Sequence, residues 1–155
     1  MADIRGALIL LVDDDVMGRS VRKLVLEANG HLVLATGEAH LAMRALTSEP
    51  IRLVILDYFL DGIMGTELAR QMRLVKPDVP ILLLSASSDV PEGTEHVDAY
   101  LSKLEPVGII EQKIAELLQP RGGRMARPSI QSPLARRGPQ KQDLSPDIEC
   151  ETGSA

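Results

Sequence analysis

Apolar residues gather along the chain in short unbroken runs, and these alternate with longer stretches in which apolar residues recur at helical spacing. Short runs whose charges are confined to one end are typical of buried parallel strands. They predict strands at residues 8–12, 31–35, 52–56, 81–85 and 99–102. The helical spacing predicts helices at residues 16–29, 38–47, 65–75 and 106–118. This alternation predicts an α/β domain with right-handed crossovers and helices on both faces of a parallel sheet.

The first predicted helix carries apolar residues at the i, i+3, i+4 and i+7 positions that usually face a core. These residues are Val21, Leu24, Val25 and Ala28. We therefore expect that side of the helix to pack against the sheet.

Two segments lack such patterns. Residues 86–98 are polar and contain Pro91 and Gly93, so they support at most one short, irregular helix. Beyond Gln119 the chain holds five of its ten prolines and has no apolar periodicity. We expect a folded domain at residues 1–119 and a disordered tail containing Pro, Gly and Arg at residues 120–155.

Composition narrows the class of protein. Hydrophobic residues make up 45% of the chain, enough for a single core. Cys150 is the one cysteine, which excludes a disulfide framework and favours a reducing compartment. No apolar run approaches the roughly 20 residues of a spanning helix, and no signal-peptide pattern opens the chain. We expect a soluble, cytoplasmic protein that does not contact a membrane.

The net charge of −5 is unevenly distributed. Residues 1–119 carry 11 basic and 18 acidic side chains, whereas the tail is positively charged. An acidic domain argues against direct DNA binding by that domain. Because no second folded domain is expected, the protein should act through a protein partner.

Aspartates follow two of the predicted strands. Asp13, Asp14 and Asp15 follow the first strand, and Asp57 follows the third. Ligands of open α/β sheets bind at this edge, and carboxylates gathered there need a cation or hydrogen-bond donors to neutralise them. The pattern predicts a small metal site containing a candidate nucleophile. Asp15 stands directly before a helix and is interpreted as its N-cap.

Polar residues follow the predicted strands in a definite order. They are an acidic pair after the first strand, an aspartate after the third, a hydroxyl after the fourth and a lysine after the fifth. With these residues, positions 5–118 resemble a response-regulator receiver domain of two-component and phosphorelay signalling. The resemblance implies a doubly wound, flavodoxin-like, five-stranded sheet of order 2-1-3-4-5. It also implies a stand-alone phosphoacceptor, rather than a turnover enzyme, that receives a phosphoryl group from a histidine kinase or phosphotransfer protein and signals to an unknown protein target.

The resemblance assigns a role to each matching residue. Asp57 matches the phosphoacceptor, and Asp13 and Asp14 match the pair that holds Mg²⁺ together with Asp57 and the backbone carbonyl of Phe59. Ser85 matches the switch hydroxyl and Lys103 the phosphate-contacting lysine. Tyr100 is either the switch aromatic residue or an ordinary half-buried strand residue.

Three features depart from the family pattern. Leu104 stands where a cis proline usually follows the lysine, so we expect a trans peptide and a reshaped loop. Asp61 replaces a usual proline after Asp57. Only 14 residues separate Ser85 from Tyr100, so the family's fourth helix should be short or displaced.

Two other classes of protein are considered. The first is a pseudo-receiver, a protein-binding module that keeps the fold without phosphorylation, which the altered lysine loop and the short segment suggest. The second is a haloacid-dehalogenase-like phosphatase. That class needs a second acid two residues after the nucleophile, and Phe59 at that position argues against it.

Overall fold

The computed structural model describes residues 6–120 of the 155-residue chain. Its main sheet has five parallel strands in the order β2-β1-β3-β6-β7, so the predicted 2-1-3-4-5 topology is confirmed. The strands of this sheet are β1 (Leu8–Val12), β2 (Leu32–Thr36), β3 (Leu53–Asp57), β6 (Ile81–Ser85) and β7 (Ala99–Ser102). A separate two-stranded hairpin consists of β4 (Phe59–Leu60) and β5 (Ile63–Met64). Apart from Pro120, the predicted tail lies outside the described residues.

Four helices cover the two faces of the sheet: α1 (Val16–Ala28), α2 (Ala39–Ser48), α3 (Gly65–Val75) and α4 (Val107–Leu118). Successive strand residues point to opposite faces, so the strands contribute to two separate cores. Leu10 and Val12 pack with residues of α2 and α3, whereas Ile9 and Leu11 pack with residues of α1 and α4. The predicted doubly wound arrangement is thus confirmed. Among residues 6–120, no helix is long and apolar enough to span a membrane.

The predicted inward face of α1 is largely wrong, because only Val25 of its four residues is half-buried and the other three are exposed. Val21 and Leu24 are 58% and 67% exposed, and the one buried residue of this helix is Leu26. The side of α1 that faces the sheet includes Arg19 and Arg22, whose side chains extend to Asp13. Helical periodicity gives the spacing of a face but not its direction when polar side chains occupy inward positions.

The β4–β5 hairpin was not predicted from the sequence. Its strands pair Phe59 with Met64 and Leu60 with Ile63, which leaves Asp61 and Gly62 as a two-residue loop. Gly62 has a φ of +79°, which glycine adopts without steric cost. An Asp-Gly dipeptide between apolar residues is a strong hairpin signal and could have revealed this element.

Residues 86–98 contain a single 3₁₀ turn at Thr94–His96, which confirms the expected short, irregular element. Arg73 of α3 fastens this segment to the domain. Its guanidinium donates to the carbonyl of His96 at 2.9 Å and forms a buried ion pair with Asp98. Asp98 also accepts the N–H of Ile81 at 2.8 Å, so the ion pair links α3, the segment and the start of β6.

Candidate functional site

The sheet brings the ends of four strands together at one edge. Val12 pairs with Leu56, the last residue before Asp57, so Asp13 and Asp57 follow adjacent positions on neighbouring strands. On the other side of β3, the N–H of Lys103 donates to the carbonyl of Ser85 at 2.7 Å. The strand order therefore places Asp13, Asp57, Ser85 and Lys103 along one edge, as the sequence predicts.

Three carboxylates converge at this edge. Asp13, Asp14 and Asp57 each offer one oxygen, and these oxygens all lie within 4.8 Å of one another. Asp13 and Asp57 are 1% and 8% exposed, whereas Asp14 is exposed. Mg²⁺ prefers a few carboxylate oxygens and keeps several waters, so a cluster with one solvent-exposed member fits this ion.

The cluster opens through Asp14 onto a cavity of about 600 Å³. Arg19 lines the wall formed by α1, and Asp61 and Gly62 of the hairpin loop line the opposite side. The unusual Asp61 is exposed and faces this cavity rather than the buried carboxylates. The cavity provides space for waters and for a phosphate-sized group beside the acids.

Lys103 reaches both buried acids. Its Nζ lies 2.9 Å from Oδ2 of Asp57 and 3.1 Å from Oδ2 of Asp13. All peptide bonds in residues 6–120 are trans, so the expected trans bond before Leu104 is confirmed. The lysine thus enters the site without a cis peptide after it.

Two arginines of α1 also belong to this site, and the sequence analysis missed them. Nη1 of Arg22 lies 2.8 Å from Oδ2 of Asp13, and Nη1 of Arg19 donates to the carbonyl of Asp13 at 2.6 Å. The sequence feature that could have revealed them is their i, i+3 spacing at the start of the helix that follows the acids. This spacing places both side chains on the same side of α1.

The two buried carboxyls differ in their acidity. Burial raises the pKa of Asp57, and the attraction of Lys103 does not fully offset this burial and the repulsion from Asp13. Burial also opposes ionisation of Asp13, but the N–H of Asp15 and the charges of Lys103 and Arg22 outweigh it and hold the pKa of Asp13 below its usual value. Asp13 is therefore the more firmly ionised of the two acids.

Asp15 has the capping role expected of it. Its Oδ2 accepts the N–H of Gly18 at 3.1 Å at the start of α1. Its own N–H donates to Oδ1 of Asp13 at 3.0 Å. The third aspartate thus caps the helix and orients the first aspartate.

The remaining predicted residues differ in their exposure to solvent. Ser85 is 2% exposed, and its Oγ accepts the N–H of Ser87 at 3.2 Å. Tyr100 is half-buried against the core beneath α2 and α3. Phe59 is 61% exposed and packs edge-on against Tyr58, with ring centroids 4.7 Å apart.

Comparisons with known proteins identify the family of this fold. The family model for the response regulator receiver domain matches residues 9–105, and the chain belongs to this family. Protein PetR of Rhodobacter capsulatus is 37% identical over 99 residues, which cover 61% of this chain and 41% of PetR. Response regulator MprA of Mycolicibacterium vanbaalenii is 34% identical over 99 residues, covering 61% of this chain and 43% of MprA. The chain thus aligns with about two fifths of each of these relatives.

Solved structures show the same fold. The response regulator TrrA of Thermotoga maritima, crystallised with Mg²⁺ and BeF, has a TM-score of 0.68 and 31% identity. The match covers 72% of this chain and 99% of TrrA. A CheY-like receiver domain protein of Methanospirillum hungatei matches with a TM-score of 0.63 and 24% identity. The match covers 72% of this chain and 96% of that protein's chain, and it supports the fold alone.

Proposed function

We propose that Asp57 accepts a phosphoryl group from a histidine kinase or phosphotransfer protein in a magnesium-dependent reaction, and that the modified domain signals to a protein partner. One observation carries this proposal. A buried carboxylate with two acidic neighbours has a lysine ammonium 2.9 Å from its oxygen. Nucleophile, candidate cation ligands and a positive group for the transferred phosphoryl group thus occur together.

Asp13, Asp14 and Asp57 are the side chains that would hold Mg²⁺, with the backbone carbonyl of Phe59 as the further ligand that the family resemblance implies. When bound, the ion neutralises charge on the phosphoryl oxygens and orients the group for attack. The convergence of three carboxylate oxygens supports this assignment.

The chain's own residues have distinct tasks in the transfer. A carboxylate oxygen of Asp57 forms the new O–P bond while the P–N bond to the donor histidine breaks, and the imidazole leaves with the electron pair. Lys103 lies beside the attacking carboxylate and would pair with a phosphoryl oxygen. Ser85, buried at the end of the adjacent strand, would donate its hydroxyl to another oxygen.

The signal would pass through Ser85 and Tyr100, which lie on the neighbouring strands β6 and β7. Movement of Ser85 toward the phosphoryl group would allow the half-buried Tyr100 to turn inward. We assign this function to residues 1–119 acting in the cytoplasm as a phosphoacceptor rather than as a turnover enzyme. Residues 120–155 are proposed to be a disordered extension.

The test is phosphorylation by acetyl phosphate with and without Mg²⁺, followed by intact-protein mass spectrometry. We expect one phosphoryl group on the wild type with Mg²⁺, none after chelation and none on Asp57→Asn. Asp78→Asn is the matched control, because it removes an exposed acid between α3 and β6, at the opposite end of the strands from Asp57, and should be labelled like the wild type. Equal labelling of wild type and Asp57→Asn would refute the proposal, and absence of labelling on both would favour a pseudo-receiver.

A further inference from the structure

Oδ2 of Asp13 accepts two cationic side chains at once. Arg22 Nη1 lies 2.8 Å from this oxygen and Lys103 Nζ lies 3.1 Å from it. The other carboxylate oxygen of Asp13, Oδ1, accepts the N–H of Asp15 at 3.0 Å. Both oxygens of this candidate metal ligand are therefore bound by protein donors.

The two cations are not equivalent. Lys103 bridges Asp13 and Asp57, so it lies where a phosphoryl group on Asp57 would draw it away from Asp13. Arg22 extends from α1 on the other side of Asp13, and its side chain is 18% exposed. The charge of a guanidinium held at that depth is poorly screened by salt.

We propose that Arg22 is a positioning residue that competes with the metal ion for Asp13 and thereby sets the metal affinity of the site. The inference rests on the metal site of the proposed function and adds a residue to it. A divalent cation at the three carboxylates must share an oxygen of Asp13 with the donors already bound to that carboxylate, and the charges of the cation and of Arg22 repel each other. Arg22 therefore weakens metal binding, while it keeps Asp13 oriented when Lys103 moves to the phosphoryl group.

The position of Arg22 in α1 supports a role in the site. Leu24 of the same helix is 67% exposed, whereas the arginine occupies the inward side and donates to Asp13. Its side chain also lines an apolar groove of about 370 Å³ between α1 and α4. Methionine at this position would keep contact with the groove and remove both the charge and the hydrogen bond to Asp13, which makes Arg22→Met a suitable variant.

The experiment is an NMR titration of the full chain with Mg²⁺ alone, following amide shifts near the three acids. We expect Arg22→Met to bind Mg²⁺ about five- to twenty-fold more tightly than the wild type, as removal of one charge from a shared ligand in a partly solvated site should produce. Arg22→Lys keeps the charge and should stay within about twofold of the wild type.

Lys23→Met is the matched control. It removes the same charge from the next residue of α1, which pairs with Glu27 rather than with Asp13. Its affinity for Mg²⁺ should change by less than about twofold, since an exposed charge is largely screened. If Arg22→Met lowers the melting temperature enough to disturb the titration, Arg22→Gln provides the same neutralisation with a polar side chain.

Equal or weaker Mg²⁺ binding by the neutral variants would overturn the inference, because a purely structural Arg22 would leave Asp13 unchanged or more loosely held. In that case the proposed function would stand if Mg²⁺-dependent labelling of Asp57 persisted. Absence of Mg²⁺ binding by the wild type and all variants would overturn both the inference and the metal-dependent step. Tighter binding by Arg22→Met without labelling of Asp57 would support the inference and refute the proposed function.

Discussion

Gly65 lies so close to Asp57 that a Cβ at this glycine would be 2.1 Å from the carbonyl oxygen of Asp57. The contact is with backbone, which cannot move aside as a flexible side chain can. The N–H of Gly65 also donates to the carbonyl of Tyr58 at 2.8 Å, so the start of α3 is packed onto the end of β3. The absence of a side chain at Gly65 thus helps to determine where Asp57 stands.

Gly65→Ala should displace the loop that carries Asp57. We expect a loss of about 1–3 kcal/mol in the free energy of unfolding, as for an overpacked core. Phosphorylation by acetyl phosphate should slow at least about tenfold, because small misplacements of a nucleophile are costly. Urea denaturation and the rate of labelling measure the two effects.

Gly108→Ala is the matched control for that substitution. Gly108 lies in α4, and a Cβ there would meet no heavy atom within 4 Å. Alanine should stabilise the helix by about 0.5–1 kcal/mol and leave the labelling rate unchanged. If Gly65→Ala behaved like Gly108→Ala in both measurements, the close approach of Gly65 to Asp57 would not affect stability or phosphorylation.

Asp57→Asn should stabilise the unphosphorylated domain at neutral pH. The pKa of Asp57 is raised in the folded state, so the native protein holds this proton more tightly than the unfolded chain. The contribution of Asp57 to stability is therefore lost as pH rises through its folded pKa. Asparagine removes that loss and should therefore raise the melting temperature at pH 7.

The difference in melting temperature between Asp57→Asn and the wild type should shrink as the pH falls, because Asp57 of the wild type then becomes protonated and uncharged. Melting curves of both proteins at several pH values between 4 and 7.5 test this. A difference in melting temperature that does not depend on pH would show that the charge of Asp57 is fully compensated by Lys103.

The fold and the acids could be predicted from the sequence because their signals are local. A run of four apolar residues that ends in an aspartate, as in β3, has few other interpretations, and the expected strand at 52–56 is offset by one residue from the observed Leu53–Asp57. Parallel strands place their carboxyl ends at one edge, so the positions of Asp13 and Asp57 follow from topology alone.

The polar contacts could not be predicted in the same way. Arg22 is nine residues from Asp13, and Arg73 is 25 residues from Asp98, so neither ion pair has a pattern within one element. Arg22 also reversed the interpretation of α1, because it takes an inward position while Val21 and Leu24 face solvent. Periodicity locates stripes of side chains, whereas the partner of a buried charge is fixed only by the folded chain.

Arg73→Met should strongly destabilise the domain. Both side chains of the Arg73–Asp98 ion pair are 7% exposed, so the substitution removes a guanidinium that is bound to a buried carboxylate. We expect a loss of about 3–5 kcal/mol in the free energy of unfolding, measured by urea denaturation. Arg70→Met is the control on the same helix, because the Arg70–Glu67 pair is exposed and its loss should leave the free energy of unfolding nearly unchanged. Similar losses of stability in Arg73→Met and Arg70→Met would contradict the conclusion that Arg73 stabilises the domain through its buried ion pair.

Asp14→Ala should mainly lower the affinity for Mg²⁺, whereas Asp15→Ala should mainly lower the stability of the fold, although the two residues are adjacent. Asp14 offers an oxygen to the metal cluster, so its loss should weaken Mg²⁺ binding at least about tenfold and leave stability nearly unchanged. Asp15 caps α1 through the N–H of Gly18, so its loss should cost about 1 kcal/mol of stability. Its effect on Mg²⁺ affinity should be smaller, because the N–H of Asp15 that orients Asp13 belongs to the backbone. Mg²⁺ titrations and urea denaturation of both variants test which aspartate is the metal ligand. A larger loss of Mg²⁺ affinity in Asp15→Ala than in Asp14→Ala would contradict the assignment of Asp14 to the metal site.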